Sequence, residues 1–519
     1  MKKKIDNYIR ENTRNIIKDI LELVEIKSVS GNEEENKKAL NFFLEKAKNM
    51  GFKTMKTSLG DVGVVEFGHG EEKMGILVHV DVVGVGDTEK WTYPPFEGKV
   101  AKGFIWGRGV VDDKGPAIMC LYAMKAIKDL QIPINKTIWL IIGTSEESEW
   151  SDIENFKKEF EVPDYGFTPD GDFPIYNREM GYCDVILDFK EPCRDMIEYL
   201  ASGDSANTIP SKAEIKIKNQ DKLTFQGIAC HSSVPGMGIN AISKMAVEQS
   251  YRTELNFIRF LNDFLEKDYN GGRLEIDTPA NRNNEPSEKT IVVPTVLSLT
   301  EEGVRLNVNL RPWFDVSYES VEKAFGKYAK EYNYTFCISD FMKSVAVDEK
   351  EEFLQTMSEV YEEYGYKSTF LTAVGTSYAK AMEHFICWGP VLDTQPSCAH
   401  MENERLSVEN MVIATQMYAT FLARDAGAYN QLRKNSKDMS SLEKALYLLD
   451  IFTEPPYRYD VPTLVDLTGM NRTTVYRNLT TLEQVKLLDR DEETRSYCLG
   501  PMAAKIGKSV ENVKERAEQ

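Results

Sequence analysis

The sequence predicts an α/β fold interrupted by an inserted α+β segment and followed by a small helical module, and three observations carry that prediction. Between about residues 74 and 185 short apolar runs alternate with helical patterns, as in "MGILVHV", "PAIMCLYAMKAIKDL", "TIWLIIGT" and "SDIENFKKEF". Such alternation is the signature of a sheet with crossover helices. Between about 186 and 370 the texture changes to alternating strands such as "AEIKIK" and "GVRLNVNLRP", with helical spacing through "NAISKMAVEQSYRTELNFIRFLNDFLEK". Beyond residue 440 three short apolar stripes follow one another, separated by turn signals.

These textures divide the chain into an α/β body formed by 1–185 and 371–424, an inserted domain at 186–370, a polar linker at 425–440, a helical module at 441–510 and a charged tail at 511–519. At 519 residues, two or three folded units are expected. The formal net charge of -19 argues against indiscriminate binding to phosphate backbones or anionic lipid. The opening "MKKKIDNYIRENTRNIIKDILELVEI" is basic but has no uninterrupted apolar stretch, and Ile16, Ile17, Ile20 and Leu21 recur at helical spacing. It reads as an amphipathic helix rather than a secretory signal. No window approaches the roughly 20 apolar residues that a membrane-spanning helix needs. Eight cysteines are scattered without a C-x-x-C pair, which points to reduced thiols and a cytoplasmic protein.

The chemistry-bearing residues cluster just beyond the apolar strands, where ligands of open α/β sheets bind. In "VHVDVV", His79 and Asp81 are two apart, so strand alternation turns both to one face. Alone, such a pair is common, but a carboxylate holding the second nitrogen of a metal-binding imidazole is a recurrent arrangement. "GRGVVDDKGP" places Asp112 and Asp113 ahead of a helix that carries Pro116 in its first turn; one of the two fits a bridging carboxylate, the other a helix cap or a solvated neighbour. "TIWLIIGTSEESEW" delivers Glu146 and Glu147, and adjacent carboxylates can divide the work between holding a metal and moving the proton of a metal-activated water. "GFTPDGDFP" adds Asp170 and "CAHMENE" adds His400. Of only five histidines, His79 and His400 fall in such contexts, whereas His69 and His384 do not.

In this order the five stretches resemble the M20 family of metallopeptidases over roughly residues 10 to 424, most closely its bacterial dipeptidase branch of PepV or Sapep type. The resemblance implies a metallopeptidase catalytic domain with an inserted lid domain. It makes Asp112 the carboxylate bridging two divalent metal ions, with His79 and Asp170 completing one site and Glu147 and His400 the other. Glu146 is then the general base, and Asp81 orients His79. Nitrogen and oxygen ligands without thiolates suit zinc first, with manganese or cobalt also accommodated. Two cations roughly 3.5 to 4 Å apart lower the pKa of a bridging water to roughly 7 and polarise the scissile carbonyl.

Within the inserted segment, "FQGIACHSSVPGMGINAI" resembles the family's lid motif, and His231 matches the histidine that stabilises the oxyanion. "GDSANTIPSKA" and "NVNLRPW" resemble the lid segments that hold substrate, making Asn207 and Arg311 candidates for grasping a peptide carboxylate. The chain departs from the dipeptidase branch at "AVGTSYAKAM", where Ala373 and Val374 stand for glycines and Lys380 for an arginine. Lysine cannot reproduce the arginine fork, so the substrate preference is left open. By the same resemblance, so long a lid completes its site within one chain; the tail leaves the oligomeric state undetermined.

The C-terminal stripes are Leu442, Ala445, Leu446, Leu449 and Phe452; Val461, Leu464 and Val465; and Val475, Leu479 and Leu482. Three short helices with "LTGMN" between the second and third fit a helix-turn-helix, with Asn471 capping the third. On that helix Arg472, Thr473, Arg477, Thr480 and Thr481 lie away from the buried stripe, small or basic groups suited to a major groove. "KLLDRDEETRSYCLG" reads as a two-stranded wing. Over about 70 residues the module resembles the winged helix-turn-helix of IclR-type regulators, here at the C-terminal rather than the usual N-terminal position. Residues 440–510 hold nine Lys or Arg against ten Asp or Glu, so DNA affinity has to come from a local patch.

The expected function is two-metal hydrolysis of dipeptides or short peptides, with a DNA-binding module of regulatory role. Two other readings stay open: a transcription regulator that senses peptide through a peptidase fold, and an N-acyl-amino-acid deacylase.

Overall fold

The computed structural model describes residues 1–191, 194–265, 269–276, 289–395, 397–427, 440–453 and 457–508. Most of the expected linker 425–440 and all of the expected tail 511–519 lie outside these residues. The chain forms two compact units, one of residues 1–175, 349–370 and 377–519, the other of 176–348 and 371–376. Among the described residues no helix is long and apolar enough to cross a membrane.

The sheet of the first unit runs in the order Lys53–Lys56, Gly63–Gly68, Thr137–Gly143, Lys73–His79, Tyr165–Thr168, Phe385–Cys387. The outer two strands are antiparallel additions, and from Thr137–Gly143 onward the strands are parallel. Thr137–Gly143 is buried along its whole length, which explains why "TIWLIIG" carries apolar residues on both faces instead of alternating. One face is covered by helix Lys114–Asp129, which packs with Lys2–Val24 and Val408–Asp425. On the other, Ile153 and Phe156 of helix Ser151–Glu159 join Val64, Leu77, Trp139 and Ile141 in a second apolar layer. Parallel pairing aligns the carboxyl ends of Lys73–His79, Thr137–Gly143 and Tyr165–Thr168 along one edge, where His79 ends its strand, Glu146 and Glu147 follow the second and Asp170 follows the third.

The second unit is built on a seven-stranded antiparallel sheet, in the order Leu223–Gln226, Lys212–Ile217, Ile197–Ser202, Ile291–Leu299, Gly303–Arg311, Tyr182–Lys190, Tyr334–Met342. Its apolar face is covered by Ala241–Glu248, Asn256–Phe264 and Tyr318–Tyr328, burying Ile242, Phe257, Phe260 and Phe325 with Leu187, Ile215 and Leu306. The helical spacing of "NAISKMAVEQSYRTELNFIRFLNDFLEK" suggested one continuous element, but the structure breaks it between Glu248 and Asn256. The cause is tertiary. The Glu191 carboxylate accepts the amides of Asn256 (3.0 Å) and Phe257 (2.9 Å), capping a new N-terminus, and buried Arg252 is held by Gln249 and Gln220.

The C-terminal module contains helices Ser441–Ile451, Val461–Thr468 and Arg472–Gln484. A capping box between Ser440 and Glu443 starts the first. Gly469, at a φ of 63°, turns the chain between the other two, and Asn471 caps the third by accepting the amide of Thr474 at 2.8 Å. The expected two-stranded wing has a third strand: Arg458–Tyr459 pairs with Tyr497–Leu499, which pairs with Leu488–Arg490. The first helix also presents a different face from the one its spacing suggested. Tyr447, Leu448 and Ile451 are buried with Phe452, while Leu442 and Leu446 are 69% and 54% exposed. Leu448→Ala is therefore expected to cost about 2–5 kcal/mol of local stability, and Leu446→Ala less than about 0.5 kcal/mol. Hydrogen exchange of the amides in residues 441–499 reads both.

Candidate metal centre

His79 is the last residue of a buried strand, and the other metal-ligand candidates come from loops. His79 ends its strand with no solvent exposure, and its Nε2 lies 3.0 Å from Asp112 Oδ1 and 3.6 Å from Asp170 Oδ2. His400 Nε2 lies 2.8 Å from Asp112 Oδ2 and 3.0 Å from Glu147 Oε1. The two oxygens of Asp112 thus face one imidazole each. Donor atoms of His79, Glu146 and Asp170 lie within 4.8 Å of one another, and so do those of Asp112, Glu147 and His400. His79 is closed off from solvent, whereas the His400 side chain is 55% exposed.

The atoms are placed for coordination more than for hydrogen bonding. His79 Nε2 and Asp112 Oδ1 are both buried and neither has a hydrogen-bond partner, despite their 3.0 Å separation. A pair of buried groups left in this way is costly unless a cation joins them. The charge balance points the same way. Burial raises the Glu146 carboxyl well above its usual range, and Asp170 and Glu147 add to the effect against the pull of His79. Burial, with the Asp112 carboxylate beside it, raises Asp170 to about 7. Burial opposes the charged imidazole of His400, but the carboxylates of Asp112 and Glu147 outweigh it and raise its pKa to about 11. The residues present therefore fit a pair of divalent cations, held by nitrogen and oxygen donors without thiolates.

The supports differ in part from the sequence expectation. His79 Nδ1 meets the Asp81 backbone carbonyl at 3.0 Å, with the Asp81 carboxylate farther away at 3.4 Å. That carboxylate accepts instead from the amides of Glu146 and Glu147, each at 3.2 Å, so Asp81 also fixes the paired glutamates. Asp113 is neither a side-chain cap nor solvated: it is fully buried, and its Oδ2 accepts the amide of His79 at 3.1 Å.

Two anchoring carboxylates were not singled out from the sequence. Asp152 accepts the amides of Thr144 (2.7 Å) and Ser145 (3.1 Å) and the Tyr378 hydroxyl (2.6 Å), holding the start of the Glu146–Glu147 loop. Glu404, the last residue of "CAHMENE", has no exposure and pairs with buried Arg108 at 2.8 Å. It also accepts the amides of Gly109 (3.0 Å), Val111 (2.8 Å) and Asp112 (3.3 Å). One carboxylate thus ties the segment bearing Asp112 to the segment bearing His400. A buried charge just past a ligand motif was the available signal, but its partners lie nearly 300 positions away in the chain.

In the second unit, Asn207, His231 and Arg311 come together. Thr208 pairs with His231 across two short strands, the Asn207 carbonyl accepts the Ser232 amide at 2.8 Å, and Arg311 Nη2 donates to Ser232 Oγ at 3.4 Å. Arg311 is 3% exposed, lies over the Tyr182 ring and keeps an Nε without a hydrogen-bond partner. His231 is exposed, with Nδ1 at 2.6 Å from Ser233 Oγ. Lys380 belongs to the first unit, on the turn Tyr378–Ala381. On the third helix of the C-terminal module Arg472, Thr473, Arg477 and Thr481 are exposed, joined by Tyr476 at 52% exposure, which the sequence reading passed over.

Residues 75–424 match the model of peptidase family M20/M25/M40, well over half of the chain, and residues 441–492 match that of the IclR helix-turn-helix domain. The chain belongs to the M20 peptidase family and carries a C-terminal IclR helix-turn-helix domain. It is 31% identical over 423 residues to the Bacillus subtilis (strain 168) protein named "Putative dipeptidase YtjP", covering 73% of this chain and 89% of that one. It is 27% identical over 463 residues to "Putative dipeptidase SH1171" of Staphylococcus haemolyticus, covering 79% and 97%. Among solved structures, human carnosine dipeptidase 1 superposes with a TM-score of 0.54 at 14% identity, covering 82% of this chain and 99% of that one. The dipeptidase Dug1p of Saccharomyces cerevisiae gives 0.55 at 15% identity, covering 82% and 98%. At these identities the structural likeness is one of fold.

The Glu404 clamp carries a direct expectation. Glu404→Gln keeps the volume but loses the charge that holds Arg108 and the Asp112 segment, so divalent-cation affinity should fall about 10–100-fold. Titration calorimetry of metal-stripped protein with zinc or manganese measures it.

Proposed function

We propose that the chain hydrolyses the amide bond of dipeptides or short peptides at a two-metal centre, and that its C-terminal module contacts DNA in a regulatory role. The observation that carries the peptidase reading is the Asp112 carboxylate, one oxygen toward His79 and the other toward His400, with Glu146 beside the pair. The dipeptidase names of the Bacillus and Staphylococcus relatives support the substrate class. The free state of the seven cysteines among the described residues is in keeping with a cytoplasmic protein.

His79, Asp112 and Asp170 would hold one cation and Asp112, Glu147 and His400 the other, zinc before manganese or cobalt on the donor set. When bound, the metals supply Lewis-acid polarisation of the scissile carbonyl and a lowered pKa for the attacking water. Glu146 takes the proton of that water and hands it to the leaving amine. Asp81 and Asp152 keep the Glu146 backbone in place through the amides of residues 144–147. In the second unit, His231 serves the developing oxyanion, and Arg311, with Asn207 close by, takes the substrate carboxylate. Arg311 suits that task because it is buried, fixed over an aromatic ring and has an Nε available. Lys380 supplies a further positive charge for substrate, in place of an arginine fork.

A panel of dipeptides and of acetylated and succinylated amino acids, assayed with zinc or manganese, tests this reading. Dipeptides should be the preferred substrates, and Glu146→Gln should lower kcat by about 10²–10⁴-fold with the metals still bound. Equal activity in the two proteins would sink the mechanism, and preference for the acylated amino acids would replace peptidase by deacylase. For the C-terminal module, exposed Arg472, Thr473, Arg477 and Thr481 form the DNA-facing set. Arg477→Ala should weaken retention of genomic DNA fragments about tenfold in an electrophoretic shift, with dipeptide kinetics unchanged.

A further inference from the structure

We propose that the cavity between the C-terminal module and the peptidase body is a binding site for a small zwitterion of the α-amino-acid class with an apolar side chain. The choice of this class as a reaction-linked ligand rests on the dipeptidase reading; the site itself rests on geometry. The cavity measures about 360 Å³, within the range of small-molecule sites. Leu130, Ile132 and Pro133, in the turn after helix Lys114–Asp129, form one apolar wall, and Leu467 of the second module helix stands on the module's side. The Leu130–Pro133 turn precedes the amino end of strand Thr137–Gly143, while Glu146 and Glu147 follow its carboxyl end and His79 ends the neighbouring parallel strand. A seven-residue strand separates the two places by roughly 20 Å.

The charges around the apolar walls select the ligand. Asp460 caps helix Val461–Thr468 by accepting the Thr463 amide at 2.9 Å, and Lys4 of the first helix acts on it electrostatically. Arg458 lines the same cavity, with Nη1 engaged by Asp491 at 2.8 Å. A simple anion would meet the Asp460 carboxylate, a simple amine would meet Lys4 and Arg458, and a neutral apolar molecule would strip water from all three without return. A zwitterion satisfies both signs, its carboxylate toward Lys4 and Arg458 and its ammonium toward Asp460, while its side chain lies on the leucines and proline. Hydroxyl groups of Thr494 and Ser496, in the turn of the wing, complete the polar rim. Because its walls come from both bodies, a ligand here holds the wing against the peptidase, and free amino acids, the products of dipeptide cleavage, have the required chemistry. Intact dipeptides share it.

Isothermal titration of metal-stripped full-length protein with L-leucine and, separately, with L-leucyl-L-leucine tests the site without turnover. Binding is expected, and Lys4→Ala and Asp460→Ser, the latter keeping a capping hydroxyl, should each weaken it about tenfold. Both variants should leave kcat/KM for dipeptides in the metal-loaded enzyme unchanged. Leucinamide and N-acetylleucine, each lacking one charge, should bind more weakly than leucine. Weakening by both variants supports the site whichever probe binds more tightly, and the tighter probe names its source as product or substrate. No heat with either probe, or binding indifferent to both variants, overturns it. A protein that binds leucine as described yet cleaves no dipeptide would retain the site and remove the dipeptidase reading.

Discussion

The centre depends on one carboxylate, Asp112, being held between two imidazoles that sit more than 300 residues apart in the chain. Asp112 lies among Asp81, Asp113, Glu146, Glu147 and Asp170; burial works against its charge, but His400 and His79 outweigh it and hold the carboxyl well below its usual range, provided the backbone is restrained. The restraint comes from Glu404. Its two oxygens take three amides of the segment 109–112 and the Arg108 guanidinium, in a site with no solvent exposure. Breaking a buried pair of this kind leaves an uncompensated charge and costs several kcal/mol, about 3–5 by analogy with other proteins. That penalty is what keeps the Asp112 carboxylate and the loop of His400 in register.

The same economy of anchoring recurs around the paired glutamates. Asp81 and Asp152 between them occupy the amides of four consecutive residues, 144–147, and the Trp150 indole closes on the Glu146 carbonyl at 2.8 Å. A loop whose amides are all engaged holds its side chains within narrow limits. The buried layer of Ile153, Phe156, Trp139 and Tyr378 beneath it supplies the rigid floor.

The winged module meets the peptidase body through polar and apolar groups in mixture, with a cavity between them. Its third helix keeps Arg472, Thr473, Tyr476 and Arg477 exposed and contributes none of the residues that line the cavity. Residues that would read DNA and residues that would sense a small molecule are therefore on different elements of one small domain. With acidic residues slightly outnumbering basic ones in the module and a strongly acidic chain behind it, DNA contact has to rest on that local face.

Patterns of period and spacing made the apolar strands, the helix after Asp112 and the Asn471 cap legible in advance, because each is a local motif, while the candidate ligands His79, Asp112, Glu147, Asp170 and His400 came from a resemblance in the order of five short stretches. What the sequence left undecided concerns groups whose partners are remote. The break before Asn256 is set by Glu191, the first module helix turns Leu448 rather than Leu446 inward because of what packs against it, and Wing strand Arg458–Tyr459 exists only through its pairing with Tyr497–Leu499. Asp152 and Glu404 look like ordinary acidic residues, Asp81 like a partner of His79 and Asp113 like a helix cap or a solvated neighbour, until folding sets each against particular backbone amides. A chain pattern records which residues a strand or helix offers, whereas a buried carboxylate takes its role from the donors that tertiary packing brings within 3 Å or so.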